Sequence, residues 1–232
     1  MTPHSPPTDT DDRPGLSDRL FASIYEPFLA LGERRGMAQR RRLLLAGASG
    51  SVLEIGAGTG LNLPYYPAAV TGLTVSEPNG AMRAVLQRRV DAAEGGPGSR
   101  APLRISAAAA ESLPFDDDTF DVVVSTLVLC TVADPVAAVD EVKRVLRPGG
   151  RFLVLEHVRG PSGSRLERWQ HRLAGPWEKF AAGCRCDRAT ADVLGDAGFE
   201  VRSLREDSWS GMPSFVAPLV IGSLTALDRG AC

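Results

Sequence analysis

"VLEIGAGTGLN", residues 52–62, gives the chain's most specific structural instruction. Val52 to Ile55 reads as a buried strand, and three glycines then stand at every second position, Gly56, Gly58 and Gly60. Glycine tolerates positive φ and leaves no Cβ between the backbone and a ligand. Placed after a strand, such a turn lies at the strand's carboxyl end, where open α/β sheets bind ligands. The stretch predicts an α/β sheet with a nucleoside-type ligand at the end of its first strand.

Two details narrow the ligand. The dinucleotide fingerprint is G-x-G-x-x-G, and here the third glycine comes one residue early, with Leu61 where the fingerprint wants it. Glu54 lies two residues before the first glycine, where its carboxylate would repel a pyrophosphate. A cationic ligand would welcome that charge. S-adenosylmethionine fits, with a sulfonium, an ammonium, a ribose and no phosphate. Glu77 follows Gly56 by about twenty residues, the position from which an acid accepts hydrogen bonds from ribose hydroxyls. Met82, one helical turn on, would cover the adenine with a polarisable thioether.

The rest of the chain supports an alternating fold. Short strands are expected at 51–55, within 69–78 with its end at Glu77, and at 103–106, 120–129 and 151–158, and helices at 79–93, with Asn79 as N-cap, at 135–146, 164–182 and 187–198. The "RPGG" at 147–150 stops the helix before it. "FEVRSLREDSW" and "SFVAPLVIGSLTAL", joined by a short "SGM" turn, form a hairpin, so one of the two runs antiparallel. Residues 1–15 are polar and Pro-rich and read as a disordered tail, residues 16–47 as an N-terminal helical cap kinked near Pro27, and residues 48–232 as one catalytic domain.

Three segments, "VLEIGAGTG", "AAESLPFDDDTFDVVV" and "VKRVLRPGGRFLVLEHV", resemble the motifs of class I S-adenosylmethionine-dependent methyltransferases, in the branch with the ubiquinone/menaquinone-type enzymes. The resemblance implies a Rossmann-like fold with a mostly parallel seven-stranded sheet and helices on both faces. It places Glu54, Gly56, Ala57 and Gly58 at the methionine end of the cofactor, with Gly60 and Asn62 shaping the loop. Glu77 takes the ribose, while Pro78, Asn79 and Met82 flank the adenine. Many relatives carry an aspartate where this chain has Ala109, so adenine recognition falls to Ala110 and Glu111. Ser125, Thr126 and Leu127 pass the methionine part, and Tyr25 resembles a tyrosine that closes over the cofactor.

A narrower similarity joins "DVVVSTLVLCTV", "LRPGG", "EHV" and "GC" at 183–184 to animal methyltransferase-like proteins that methylate alkyl thiols. Those proteins carry an N-terminal hydrophobic membrane segment, and the polar start of this chain does not match it. The expected activity is methyl transfer to a small, fairly apolar acceptor, with a thiol leading. The alternatives are O-, N- or C-methylation of a quinone-like or natural-product molecule, and cofactor binding without catalysis.

A thiol near neutrality is already partly ionised and needs little help from a base. His157, at the end of the fifth strand, is the candidate base for a less acidic acceptor. Cys130, Trp169, His171, Trp177 and Cys184 are candidate pocket residues. The four cysteines offer no zinc spacing, since Cys184 and Cys186 are separated by one residue. No metal is expected, and the thiols read as reduced, in a cytoplasm. A net charge of −2 points to no nucleic-acid partner. The arginines at 34, 35 and 40–42 read as a solvated helix face or a patch for an anionic partner. Oligomeric state stays open.

Overall fold

The computed structural model describes residues 32–94, 101–181 and 183–227. Tyr25, the tail and the first half of the helical cap lie outside them. A π-helical turn at Glu33–Met37, broken at Gly36 (φ 110°), leads into helix α1, Ala38–Leu45. Strand β1, Gly50–Ile55, and a 3-10 turn at Leu63–Tyr65 follow. Next come β2, Val70–Ser76, α2, Gly80–Glu94, β3, Leu103–Ser106, and β4, Phe120–Thr126. The remainder is α3, Pro135–Val145, β5, Leu146–His157, α4, Arg165–Phe180, α5, Thr190–Asp196, β6, Glu200–Ser208, and β7, Pro218–Thr225.

The seven strands form one sheet in the order β3-β2-β1-β4-β5-β7-β6. β1 to β5 pair in parallel, and β7 is antiparallel to both β5 and β6. Alternate strand residues point to opposite faces. Leu53, Val123, Phe152 and Val154 therefore pack with Ala138, Val142 and Val145 of α3 on one face. Val52, Val75, Val122 and Val124 pack with Leu45 of α1 and Leu86 and Val90 of α2 on the other. β6 is mostly exposed and charged, which suits an edge strand.

The expected boundaries need four corrections. β4 ends at Thr126 rather than at 129, because Leu127 takes φ 60° and turns the chain out of the sheet. α3 ends at Val145, and "RPGG" belongs to the entry of β5, where the register with β4 shifts. The hairpin is joined by residues 209–217, not by a three-residue turn, and Trp209 N–H bonds to Ala217 O across its base. The helix expected at 187–198 is confined to Thr190–Asp196. Among the described residues, no helix is long and apolar enough to cross a membrane.

Candidate active site

The three glycines do three different things. A Cβ on Gly56 (φ 56°) would lie 2.6 Å from Val128 Cγ2, and one on Gly60 (φ 85°) 2.7 Å from Leu86 Cδ1. Both positions are held by packing. A Cβ on Gly58 (φ 57°) would meet nothing within 4 Å, so this residue leaves the loop open to a ligand. Gly58 N–H donates to Glu77 Oε2 at 2.8 Å, and Asn79 N–H donates to Glu77 Oε1 at 2.8 Å. Burial pushes the Glu77 carboxyl upward, and these two N–H groups counter it. Asn79 Oδ1 accepts from Ala81 and Met82 N–H and caps α2.

Glu54 is the centre of a buried polar cluster. Asn62 Nδ2 donates to Glu54 Oε1 at 3.0 Å and to Thr126 Oγ1 at 3.0 Å, and Tyr66 O–H donates to Glu54 Oε2 at 2.7 Å. Arg41, only 5% exposed, reaches in from α1 and donates to Asn62 Oδ1 at 2.8 Å and to Glu33 Oε1 at 3.1 Å. Burial dominates and lifts the Glu54 carboxyl to about 7, against the hydrogen bonds and Arg41 that favour its charged form. The expected solvated arginine face is thus incorrect at two positions. Arg41 is buried, and Arg40 pairs with Asp207 at 2.8 Å. Neither Arg41 nor Tyr66 stood out in the sequence.

A third buried acid, Glu156, sits at the carboxyl end of β5 and is fully enclosed. Its carboxylate accepts from Ser125 Oγ at 2.6 Å and from Val128 and Leu129 N–H at 3.1 Å each. It thereby holds the turn that begins at Leu127. Burial lifts its carboxyl to about 7. An acid in the otherwise apolar "FLVLEHV" is the same signal that drew attention to Glu54, and it could have revealed this residue.

A cavity of about 380 Å³ opens above the ends of β1, β2 and β4. Of the residues expected at the cofactor, Glu54, Gly56, Ala57, Gly58, Glu77, Pro78, Asn79, Met82, Ala110, Glu111, Thr126 and Leu127 line it. Gly60, Asn62 and Ser125, also expected at the cofactor, are not among the lining: Gly60 packs against Leu86, Asn62 bonds Glu54 and Ser125 bonds Glu156. Arg41 is the basic side chain among the lining residues, and Thr131, Val132, Ala133 and Ala181 complete a wall that the sequence did not single out. Glu111 faces the cavity while its Oε1 accepts from Ala133 N–H at 2.7 Å.

The remaining candidates lie off the cavity. His157 is buried, stacks on Trp209 with ring centroids 5.8 Å apart, and is driven by burial down to about 4. His171 Nδ1 lies 3.0 Å from Asp187 Oδ2 on a half-exposed helix face, and Trp169 is 56% exposed. Trp177 packs edge-on against Phe215 at 5.3 Å and against Phe180 at 5.5 Å. Cys130 and Cys184 are buried together with their sulfurs 3.6 Å apart. Among the described residues, no group of three or more His, Cys, Asp or Glu is arranged to hold a metal ion.

The residues present fit S-adenosylmethionine. The opening at Gly58 admits a ligand against the backbone, and the acids at Glu54 and Glu77 suit a cationic nucleoside. Residues 53–154 match the family described as "Methyltransferase domain". The chain is 37% identical over 198 residues to the thiol S-methyltransferase TMT1B of Homo sapiens, covering 79% of this chain and 77% of that protein. Among solved structures, the fold is similar to a possible histamine N-methyltransferase from Thermotoga maritima, with TM-score 0.63, 23% identity, and 90% and 97% of the two chains covered. It is also similar to geranyl diphosphate C-methyltransferase from Streptomyces coelicolor, solved with S-adenosyl-L-homocysteine, with TM-score 0.64, 13% identity, and 82% and 76% covered. The loop, the two acids and these likenesses agree: the chain belongs to the S-adenosylmethionine-dependent methyltransferases, and S-adenosylmethionine is its cofactor.

Proposed function

We propose that this methyltransferase acts on the thiol of a small, fairly apolar acceptor. One observation carries the reading. Leu127, Val128, Val132 and Ala181 give the cavity an apolar stretch of wall, Thr126 and Thr131 are its neutral polar neighbours, and the candidate base His157 lies outside the lining. The three lining glutamates are engaged, Glu54 by Asn62 and Tyr66, Glu77 by two backbone N–H groups and Glu111 by a third. Such a site suits a nucleophile that ionises without assistance, and a thiol does so near neutrality. The name of the 37% identical human relative points the same way.

When bound, the cofactor supplies an electrophilic methyl on a sulfonium. Glu54 would face the cationic methionine end and Arg41 would receive its carboxylate, while Glu77 would accept from the ribose and Met82 would cover the adenine. Leu127 and Val128 would exclude water from the acceptor and hold it in line with that methyl, so that the acceptor thiolate needs no base in this wall.

The test is turnover with a panel of alkyl thiols, phenols and amines, read as S-adenosylhomocysteine formed. Thiols alone are expected to react. Phenols or amines methylated at a comparable rate would overturn the thiol reading. Tight cofactor binding with no turnover on any acceptor would identify a binding protein instead.

A further inference from the structure

The buried thiols have a geometry that methyl transfer does not use. Cys130 lies on the turn after β4, and its neighbours Val128, Thr131 and Val132 line the cavity. Cys184 follows Ala181, which lines the same cavity, and its N–H bonds to Ala181 O. Arg185 N–H donates to Cys130 O at 2.8 Å, so the two segments are already docked backbone to backbone. Their sulfurs lie 3.6 Å apart. A disulfide needs about 2.05 Å, so closure requires about 1.5 Å of approach.

The two thiols are not equivalent. Cys184 is 7% exposed and Cys130 1%. The contact between the two sulfurs favours the thiolate of Cys184, against its burial, while Cys130 is pushed upward by that same partnership and by burial. Cys186, one residue beyond, is directed elsewhere, with its sulfur 4.0 Å from Gln170 O and its thiol pushed up to about 12 by burial.

We propose that Cys130 and Cys184 form a redox-modification site, a dithiol that peroxide converts into a disulfide in the wall of the active-site cavity. The Cys184 thiolate attacks one oxygen of hydrogen peroxide and breaks the O–O bond. The departing hydroxide takes up a proton to become water, leaving Cys184 as a sulfenic acid. The sulfur of Cys130 then attacks the sulfur of Cys184. The S–S bond forms, and the hydroxide expelled leaves as water with the proton of Cys130. Two thiols and one peroxide give one disulfide and two waters, with two electrons passing from sulfur to oxygen. The crosslink draws the Cys130 turn and the Cys184 segment together and so reshapes the wall between them.

The full chain, treated with stoichiometric hydrogen peroxide and digested without reductant, is expected to yield the Cys130 and Cys184 peptides joined, with two hydrogens lost. Dithiothreitol separates them. The crosslink disappears in Cys130→Ser and in Cys184→Ser and persists in Cys186→Ser. Sulfinic acid at Cys184 without a crosslink, or a crosslink through Cys186 or Cys232, would overturn the assignment. This mass readout needs no acceptor and no folded variant, so it stands apart from the thiol-acceptor reading. With an acceptor in hand, the oxidised enzyme is expected to turn over at least about tenfold more slowly until reduced, since misplacement by about 1 Å costs that much or more. An unchanged rate in fully crosslinked enzyme would show that the site does not govern the cavity.

Discussion

Glu54 and Glu156 occupy equivalent places at two points of the sheet. Each is a glutamate at the carboxyl end of a parallel strand, enclosed, and lifted by burial to about 7. Their surroundings set them different tasks. Glu54 is held by side chains, Asn62 and Tyr66, and it faces the cavity. Glu156 is held by Ser125 and by two backbone N–H groups, and it is not among the residues lining the cavity. The difference teaches that a perturbed acid marks a binding site only when its charge remains available to a ligand. Glu156 gives its charge to the backbone and fixes the turn that the ligand meets.

Replacing Glu54 gives the strongest test of this contrast. Glu54→Gln is expected to weaken cofactor binding by about 100-fold, close to 3 kcal/mol, because a buried cationic ligand loses its counter-charge. Calorimetry with S-adenosylmethionine checks this. The wild-type affinity should also fall below about pH 7, by up to about tenfold per pH unit, as Glu54 takes up a proton. A pH-independent affinity would show that Glu54 does not face the cation. Glu77→Ala should cost about 1.5–3 kcal/mol by the same measurement, through lost ribose hydrogen bonds to a charged acceptor. Unchanged affinity would remove Glu77 from the ribose.

Glu156 should reveal itself in stability. Its carboxyl is raised from 4.5 to about 7 on folding, so the folded chain binds the additional proton between those values. The unligated protein therefore loses stability as pH rises through that window, by up to about 1.4 kcal/mol per pH unit from this group. His157 acts oppositely, since burial lowers it from 6.5 to about 4, and its contribution grows as pH rises between those values. Comparing the wild type with Glu156→Gln isolates the carboxyl: the variant should gain on the wild type as pH rises from 4.5 to 7 in denaturant unfolding. A constant difference would place the group's titration elsewhere. The smallest effect belongs to His157→Gln, expected to leave turnover on thiols within about twofold, since the imidazole lies off the cavity. A large loss would return His157 to the chemistry.

The sequence was legible where local chemistry decides structure. Glycines after a strand, an acid inside a strand and Asn79 at a cap each act over a few residues, and they pointed to the end of the sheet where the cavity lies. Long-range packing was not legible in the same way. Arg41 looks like its neighbours in "RRR", and only the docking of α1 on the sheet brings it to Asn62. Cys130 and Cys184 are 54 residues apart, and nothing local announces that their sulfurs meet. The end of β4 was missed for a different reason. "TLVL" has every mark of a continuing strand, yet Leu127 adopts a left-handed conformation that a side chain disfavours. Glu156 compensates by accepting the two N–H groups that follow.

The position of β7 has a consequence for how the chain is made. It follows β6 in sequence, yet in the sheet it lies between β5 and β6. As the polypeptide emerges during synthesis, β6 has no neighbour in the sheet until residues 218–225 have been added. Until then the apolar flank of β5 is an open edge, the kind of surface on which nascent chains associate with one another. The last strand acts as a keystone, and the charged face of β6 waits in solvent for it.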